Sequence, residues 1–348
     1  MSETAALSMT TGGSLQTLPL VTLYLTDRCN SRCISCDYWR QGRTNLTRAS
    51  LTALLPGLAR LGTEIVVLSG GEPLLNPEWT EIASTLRNHG MKLWLLTSGL
   101  SLAKHAHKAA RLFESITVSL DGTCASTYAA IRGLDAFDNV CAGIRAAVAD
   151  GISVGLRVTV QRANYQELPR FVTLARELGA RQVSFLAVDV SNAHAFARSG
   201  DFSHGLALTP DDLPQLRRIL DEMVQAFPTE YRGGFIAESP QKLERILQYF
   251  TALCGQGEFP TVQCNAPEFS AVITAESRIQ PCFFIPGPEP NPAHGDFFTK
   301  LNEVAMRRLR ASIAAGERSE CKRCVCSMWR GAQSRRASDF LQSGRGAK

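Results

Sequence analysis

The sequence predicts an α/β fold built on a parallel sheet. Apolar, β-branched runs alternate with helical segments six times, the runs are apolar along their length, and glycine ends several of the helices. Repeated strand–helix–strand units form parallel sheets, and continuously apolar strands are typical of a sheet that helices cover. Six such units are too few for a standard eight-unit barrel.

The elements follow one another from residue 20 to residue 188. Runs such as LVTLYLT and EIVVLS predict strands, because β-branched and apolar side chains suit a pleated, buried surface. The strands are predicted at 20–26, 64–69, 92–97, 115–120, 153–160 and 182–188. The helices between them are predicted at 47–61, 77–89, 102–113, 137–150 and 165–178. Gly90, Gly151 and Gly179 stand at the position after a helix where a C-cap favours glycine.

Composition and charge exclude several classes of function. The net charge of +5 is a mild excess that lies largely in the last fifty residues, whereas a nucleic-acid footprint needs a dense basic patch, so we expect no nucleic-acid substrate. No run of apolar residues is long enough for a membrane span. The N-terminus has no basic region followed by an apolar core, so no secretory signal is expected. Eleven cysteines without such a signal favour metal ligation in a reducing cytoplasm over a disulfide framework.

Three cysteines follow the first predicted strand closely. Cys29, Cys33 and Cys36 have the spacing C-x3-C-x2-C, which places three thiolates on one short loop. A 4Fe–4S cluster normally takes four cysteines, so three leave one iron open to bind a further molecule. The alternative is a zinc site, but zinc prefers paired C-x2-C knuckles that are closed by four ligands.

Two glycine-containing motifs accompany this triplet. Ser69–Gly70–Gly71–Glu72–Pro73 follows the second strand, and Ser119–Leu120–Asp121–Gly122 ends the fourth. With these motifs in this order, the chain resembles radical S-adenosylmethionine (SAM) enzymes over roughly residues 18–190. The resemblance implies a partial (β/α)6 TIM-like barrel over 19–190, open at one side, that holds SAM on a 4Fe–4S cluster.

The resemblance also implies roles for individual residues. Cys29, Cys33 and Cys36 would ligate the cluster, and Gly70, Gly71 and Glu72 would hold the SAM amino group, largely through the backbone. Ser119 and Asp121 are candidates for the ribose and carboxylate of SAM. The aromatic residue that usually precedes the third cysteine is Ser35 here, so Tyr38 or Trp39 is expected to pack near the adenine. Arg157 is a candidate for the SAM carboxylate, with a barrel-lining ion pair as the alternative, and Asn164 is a further SAM candidate.

The rest of the chain is predicted to form a connecting segment and a cysteine-rich extension. Residues 1–18 are expected to be a disordered lead, 191–253 a helical segment that covers the substrate, 254–330 a small α+β extension, and 331–348 a basic flexible tail. A β-hairpin with its turn near 276–278 would bring Cys264 and Cys282 together, and Cys321-x2-Cys324 supplies a second pair. Four thiolates of this kind suit a 4Fe–4S cluster or zinc.

This extension resembles the SPASM or Twitch extension of radical SAM enzymes. The family's glycine five residues before the hairpin cysteine is Ser277 here, and only Cys326 follows the C-x2-C pair, so one auxiliary cluster on Cys264, Cys282, Cys321 and Cys324 is expected. Cys326 or Cys254 are alternative ligands. If Cys254 is not a ligand, it is a possible hydrogen donor to a substrate radical, against the simpler interpretation of a buried packing residue.

The expected function is reductive cleavage of SAM and hydrogen abstraction from a substrate carbon, with oxidation, epimerisation or cross-linking as the outcome. The substrate would be a small metabolite or a peptide, in natural-product or cofactor biosynthesis, and flavodoxin or ferredoxin would supply electrons. The alternatives are a non-catalytic iron–sulfur or zinc-binding module and an RNA-modifying radical SAM enzyme.

Overall fold

A computed structural model describes residues 13–198, 205–289 and 296–331. Most of the predicted lead and nearly all of the predicted basic tail lie outside these ranges. The six predicted strands are present within two residues of the predicted bounds: β1 (Leu20–Thr26), β2 (Ile65–Gly70), β3 (Lys92–Thr97), β4 (Ser115–Ser119), β5 (Ser153–Val160) and β6 (Gln182–Ala187).

The six strands form a parallel sheet in chain order, as a barrel requires. Each strand pairs with the next, from β1 through to β6. The sheet does not close on itself, since the far side of β6 carries a bridge from Val183 to Ile236 in place of β1. The expectation of a partial, open barrel is confirmed.

Seven helices connect the barrel strands in the described residues. They are α1 (Tyr38–Gln41), α2 (Arg48–Arg60), α3 (Trp79–Asn88), α4 (Leu102–Leu112), α5 (Ala125–Arg132), α6 (Phe137–Ala149) and α7 (Leu168–Glu177). Thr47 begins α2 as its N-cap, because its hydroxyl accepts the Ser50 N–H at 3.1 Å. The short helices α1 and α5 were not predicted, and both lie beside the cysteine loop.

Burial differs among the barrel strands: β1 and β2 are buried at consecutive positions, as expected for strands that are covered on both faces, whereas β3 and β4 alternate. Burial alternates along β4, and Ile116 and Val118 are fully buried against the helices while Thr117 and Ser119 are partly exposed on the other face. Successive side chains of a strand point to opposite faces. The inner face of the barrel is therefore polar and partly exposed at β4.

The C-terminal part consists of helices around a short hairpin. Its elements are α8 (Leu213–Ala226), α9 (Pro228–Gly233), α10 (Pro240–Leu253), α11 (Ala266–Phe269), β7 (Ser270–Ile273), β8 (Ile279–Gln280), α12 (Phe297–Leu301), α13 (Val304–Ala314) and α14 (Ser319–Lys322). The predicted hairpin is present as antiparallel β7 and β8. Ser277 in its turn has φ of +63°, so it adopts the left-handed conformation that the family's glycine would take without strain.

This extension joins the barrel sheet directly. Strand β7 runs parallel to β1, with Leu20 opposite Ser270 and Leu23 opposite Ile273. Ala266 and Phe269 pack with Leu20, Ile65 and Val67 in a separate small apolar cluster. Within the described ranges, no helix is both long and apolar enough to span a membrane.

Candidate metal and cofactor site

The cysteine triplet lies on the loop that follows β1, at the carboxyl end of the barrel strands. The three thiols are within electrostatic reach of one another, since Cys33 acts on both Cys29 and Cys36. Burial raises the pKa of Cys29 to about 11 and that of Cys36 to about 12. Buried thiolates of this kind need a compensating positive charge, which a bound metal centre supplies, and soft sulfur ligands suit an iron–sulfur cluster.

The glycine motif supports the backbone of the cysteine loop. The N–H of Gly71 donates to Thr26 O at 2.7 Å, and that of Glu72 donates to Arg28 O at 2.8 Å. A Cβ atom at Gly71 would lie 2.2 Å from Arg28 O. These two N–H groups are therefore occupied within the protein. The SAM amino group is a hydrogen-bond donor and needs acceptors, which the carbonyl oxygens of the motif can supply.

The side chain of Glu72 is committed to the protein interior. Its fully buried carboxylate accepts hydrogen bonds from Thr97 Oγ1 at 2.8 Å, from Ser98 N and Oγ at 2.7 and 2.6 Å, and from Leu74 N at 3.2 Å. Burial raises the pKa of this carboxyl, and the hydrogen bonds oppose that shift. Glu72 therefore fixes the end of β3 against the glycine motif, and any SAM contact from this residue is left to its backbone, as predicted.

Gly71→Ala is expected to destabilise the protein by about 1–3 kcal/mol, the usual cost of overpacking. The new methyl group would meet the Arg28 carbonyl of the cysteine loop, so iron retention is expected to fall as well. Thermal unfolding and iron content after anaerobic reconstitution measure the two effects. Gly233→Ala is the matched control, because nothing lies within 4 Å of a Cβ at that position. Equal behaviour of the two variants would contradict this account of the motif.

Two residues predicted to contact SAM have other partners in the structure. Asp121 is buried, with Oδ1 accepting the Thr159 N–H at 2.7 Å and Oδ2 lying 2.9 Å from Arg132 Nε. Asn164 is also buried: its Nδ2 donates to Asp121 O and Thr159 O, and its Oδ1 accepts the Gln161 N–H. Both side chains thus make hydrogen bonds within the protein that shape the loops after β4 and β5, and their contacts with SAM stay predictions.

Ser119 and Arg157 lie side by side on the inner face of the barrel. They are register partners on β4 and β5, and both are partly exposed. The charge of Arg157 acts on the carboxyl of Glu238, whose pKa burial raises, and on the thiol of Cys326. The SAM contact of Arg157, its ion-pair alternative and the SAM contact of Ser119 all stay predictions.

Aromatic rings follow the third cysteine. Tyr38 packs edge-on against Tyr24 with ring centroids 6.2 Å apart, and Tyr24 stacks on Phe283 at 6.4 Å. Burial raises the pKa of both tyrosines, and neighbouring Cys36 adds to the shift in each. The adenine contact of Tyr38 stays a prediction. Through Tyr24, its ring is connected to Phe283, which follows the C-terminal hairpin.

Cys264 lies within electrostatic reach of four other C-terminal cysteines. Cys264 raises the pKa of each of the other four thiols, and Cys321 raises that of Cys282, which in turn raises that of Cys324. The group is Cys264, Cys282, Cys321, Cys324 and Cys326. Burial raises the pKa of Cys282 to about 12 and that of Cys321 to about 11. The four predicted ligands and Cys326 thus lie in one region of the extension, and their role as cluster ligands stays a prediction.

No set of three or more His, Cys, Asp or Glu side chains in the described part of the chain is arranged to hold a single metal ion. In a 4Fe–4S cluster each cysteine binds a different iron, so the thiolates need not converge on one point.

Cys254 lies apart from these contacts. Its Sγ donates to Leu208 O at 3.4 Å, and its side chain packs on the main apolar core. Burial raises the pKa of its thiol, and Asp212 adds to the shift. These are contacts of a packing residue, the simpler of the two interpretations, and they lend no support to Cys254 as a ligand.

The structure adds two features that the sequence interpretation missed. Arg132, at the end of α5, donates from Nη1 to Cys33 Sγ at 3.3 Å. The loop after β6 also contacts the cysteine loop: Phe196 O accepts the Asp37 N–H at 2.9 Å, and Arg198 Nε donates to Ser35 O at 2.9 Å. The only local sign in the sequence of the Arg132–Cys33 contact is that Arg132 precedes Gly133, the glycine that ends the helix. Nothing local indicates the contact between the loop after β6 and the cysteine loop.

Comparison with known proteins agrees with this geometry. A model of the radical SAM superfamily matches residues 23–175, which span β1 to α7 and include both the cysteine triplet and the two motifs. Residues 23–175 are thus similar to the domain of the radical SAM superfamily. Proteins of the radical SAM superfamily use a 4Fe–4S cluster and SAM, and the donor set on the β1 loop fits such a cluster.

Individual relatives were also found. The chain is 30% identical over 228 residues to the Fe-coproporphyrin III synthase of Methanosarcina barkeri, a match that covers 63% of this chain and 54% of the relative. The chain thus spans about half the length of the curated relatives it matches.

Two solved structures share the fold. Streptococcus suis SuiB bound to S-adenosylmethionine superposes with a TM-score of 0.65 at 14% identity, over 91% of this chain and 74% of SuiB. Native anSMEcpe with bound AdoMet and a Cp18Cys peptide gives a TM-score of 0.63 at 17% identity, over 91% and 92% of the two chains. Both matches extend past the barrel into the C-terminal part.

Proposed function

We propose that this protein is a radical SAM enzyme that abstracts a hydrogen atom from a carbon of a small metabolite or a peptide. The observation that carries the proposal is the cysteine triplet on the β1 loop, held by the glycine motif at the carboxyl end of an open barrel. Ligand sites of such barrels lie at that end of the strands.

Different residues of the chain would hold the cluster and bind SAM. Cys29, Cys33 and Cys36 would hold three irons of a 4Fe–4S cluster. A reduced cluster at this site would supply the electron that splits SAM into methionine and a 5′-deoxyadenosyl radical, and the radical would abstract the hydrogen atom. Carbonyl oxygens of the glycine motif are available to accept hydrogen bonds from the SAM amino group, and Ser119 is available on the inner face of the barrel.

The C-terminal cysteines would hold one auxiliary 4Fe–4S cluster. The support is the grouping of Cys264, Cys282, Cys321 and Cys324, together with the left-handed turn at Ser277 that the resemblance to the SPASM and Twitch extensions implies. The link from Tyr24 to Phe283 places this group beside the barrel interior. An acidic electron carrier such as flavodoxin or ferredoxin is proposed as the reductant.

Both substrate classes have support among the relatives. One curated relative is a synthase of an iron porphyrin, and anSMEcpe was solved with a peptide. We therefore propose a role in cofactor or natural-product biosynthesis.

The experiment is SAM cleavage by the anaerobically reconstituted protein with dithionite. Formation of 5′-deoxyadenosine and methionine above a protein-free control is the expected result. Absence of both products from protein with a full iron complement would overturn the proposal and favour a non-catalytic iron–sulfur module. Transfer of deuterium into 5′-deoxyadenosine, from labelled peptides or from labelled small metabolites, then decides the substrate class.

A further inference from the structure

Arg132 is a buried cation in contact with one thiol of the candidate cluster site. Its side chain is only 10% exposed, and it lies between the Asp121 carboxylate at 2.9 Å and the Cys33 sulfur at 3.3 Å. A buried guanidinium is costly unless anionic or strongly accepting groups surround it. Asp121 is one such partner, and a thiolate at Cys33 would be the second.

The position of Arg132 is fixed from both sides. Arg132 O and Ile131 O accept the N–H groups of Arg32 and Ile34 at 2.9 and 3.0 Å, so the end of α5 is hydrogen-bonded to the cysteine loop on either side of Cys33. Gly133 ends the helix with φ of +71°, and a Cβ there would lie 2.4 Å from Arg32 O. The helix end and the loop therefore hold the guanidinium on the Cys33 sulfur.

We propose that Arg132 sets the reduction potential of the cluster on Cys29, Cys33 and Cys36. This inference rests on the proposed function, because it assumes that a 4Fe–4S cluster occupies the site. Reduction adds one electron to the cluster and increases the negative charge on its sulfurs. A cationic N–H donor on one of these sulfurs stabilises the reduced form more than the oxidised form, and hydrogen bonds to sulfur are among the factors that set such potentials.

Asp121 gives the proposal a second, opposite prediction. Its carboxylate offsets part of the Arg132 charge and orients the guanidinium through their ion pair, while the Thr159 N–H holds the carboxylate in place. Neutralising Asp121 while Arg132 stays in place would leave more net positive charge beside Cys33. The two residues should therefore shift the potential in opposite directions, which loss of structure alone would not do.

The test is a redox titration of the full-length reconstituted protein without SAM, followed by electron paramagnetic resonance. The signal of this cluster is the part that disappears in the Cys29→Ala/Cys33→Ala/Cys36→Ala variant. Arg132→Gln is expected to lower the equilibrium constant for cluster reduction about tenfold or more. For a one-electron couple, a tenfold change lowers the reduction potential by about 59 mV. Arg132→Lys should give a smaller decrease, and Asp121→Asn an increase. Arg32→Gln removes an exposed charge from the same loop and should change the potential less than Arg132→Gln.

The outcomes separate this inference from the function on which it rests. An unchanged potential in Arg132→Gln at full iron content overturns the role of Arg132. If that variant assembles no cluster, Asp121→Asn decides, and a potential equal to or below that of the wild type overturns the inference. A wild-type protein without a cluster that depends on the three cysteines would instead refute the proposed function.

Discussion

Replacing Cys29, Cys33 and Cys36 together by alanine is expected to abolish SAM cleavage and to leave the C-terminal metal site intact. The two cysteine groups lie on different elements, one on the β1 loop and the other around β8 and α14, so loss of one set of ligands does not remove the other. Iron per chain should fall from about eight to about four if each group holds a 4Fe–4S cluster. Iron and sulfide analysis and a 5′-deoxyadenosine assay measure the two effects.

Cys124→Ala is the control for this experiment. Cys124 is exposed, its sulfur contacts the Ser126 and Thr127 hydroxyls, and it belongs to neither cysteine group. The iron content and SAM cleavage of the Cys124→Ala variant should match those of the wild type. Residual SAM cleavage in the triple variant would refute the assignment of the triplet. A fall from about four irons to none would mean that the C-terminal cysteines hold zinc or no metal.

Cys324→Ala and Cys326→Ala are expected to differ sharply in the auxiliary iron they retain. Cys324 lies within reach of Cys264, Cys282 and Cys326, whereas Cys326 interacts with Arg157 and Lys242 as well as with Cys264. We therefore expect Cys324→Ala to lose about four irons and Cys326→Ala to keep them. The measurement is iron and sulfide per chain in the background that lacks Cys29, Cys33 and Cys36, where only the auxiliary iron remains.

The same two variants, made in the otherwise intact chain, provide the control for damage to the barrel. Both should still cleave SAM, since the cysteine loop after β1 does not depend on either thiol. Loss of iron in Cys326→Ala with retention of iron in Cys324→Ala would mean that Cys326 is the ligand and Cys324 is not. Tightly bound zinc in place of iron would favour the structural zinc alternative.

The barrel was predictable because its signals are local. Each strand is a short apolar run. A glycine that ends a helix lies within a few residues of that helix, as Gly90 does after α3. The hairpin and α10 were likewise predictable from their own residues. Helix α5 was missed because its sequence, ASTYAAIR, has no clear apolar stripe and follows the SLDG motif directly.

The parts of the site that the sequence did not predict depend on contacts between distant residues. Asp121 and Asn164 are residue types that suit both cofactor binding and loop support, and only their hydrogen bonds to Thr159 distinguish the two. The contact of Arg132 with Cys33 joins residues 99 positions apart. The pairing of β7 with β1 joins segments about 250 positions apart, and neither strand carries a signal for its partner.

The pairing of β7 with β1 also determines how the protein can be divided. If the chain were cut after α10, β1 would become an edge strand with unpaired N–H and C=O groups along four consecutive residues. The apolar side chains of Leu20, Ile65 and Val67 would lose the cover of Ala266 and Phe269 at the same time. Exposed strand edges beside apolar surface promote intermolecular pairing and aggregation. The barrel and the extension are consecutive in sequence, but their strands belong to one sheet.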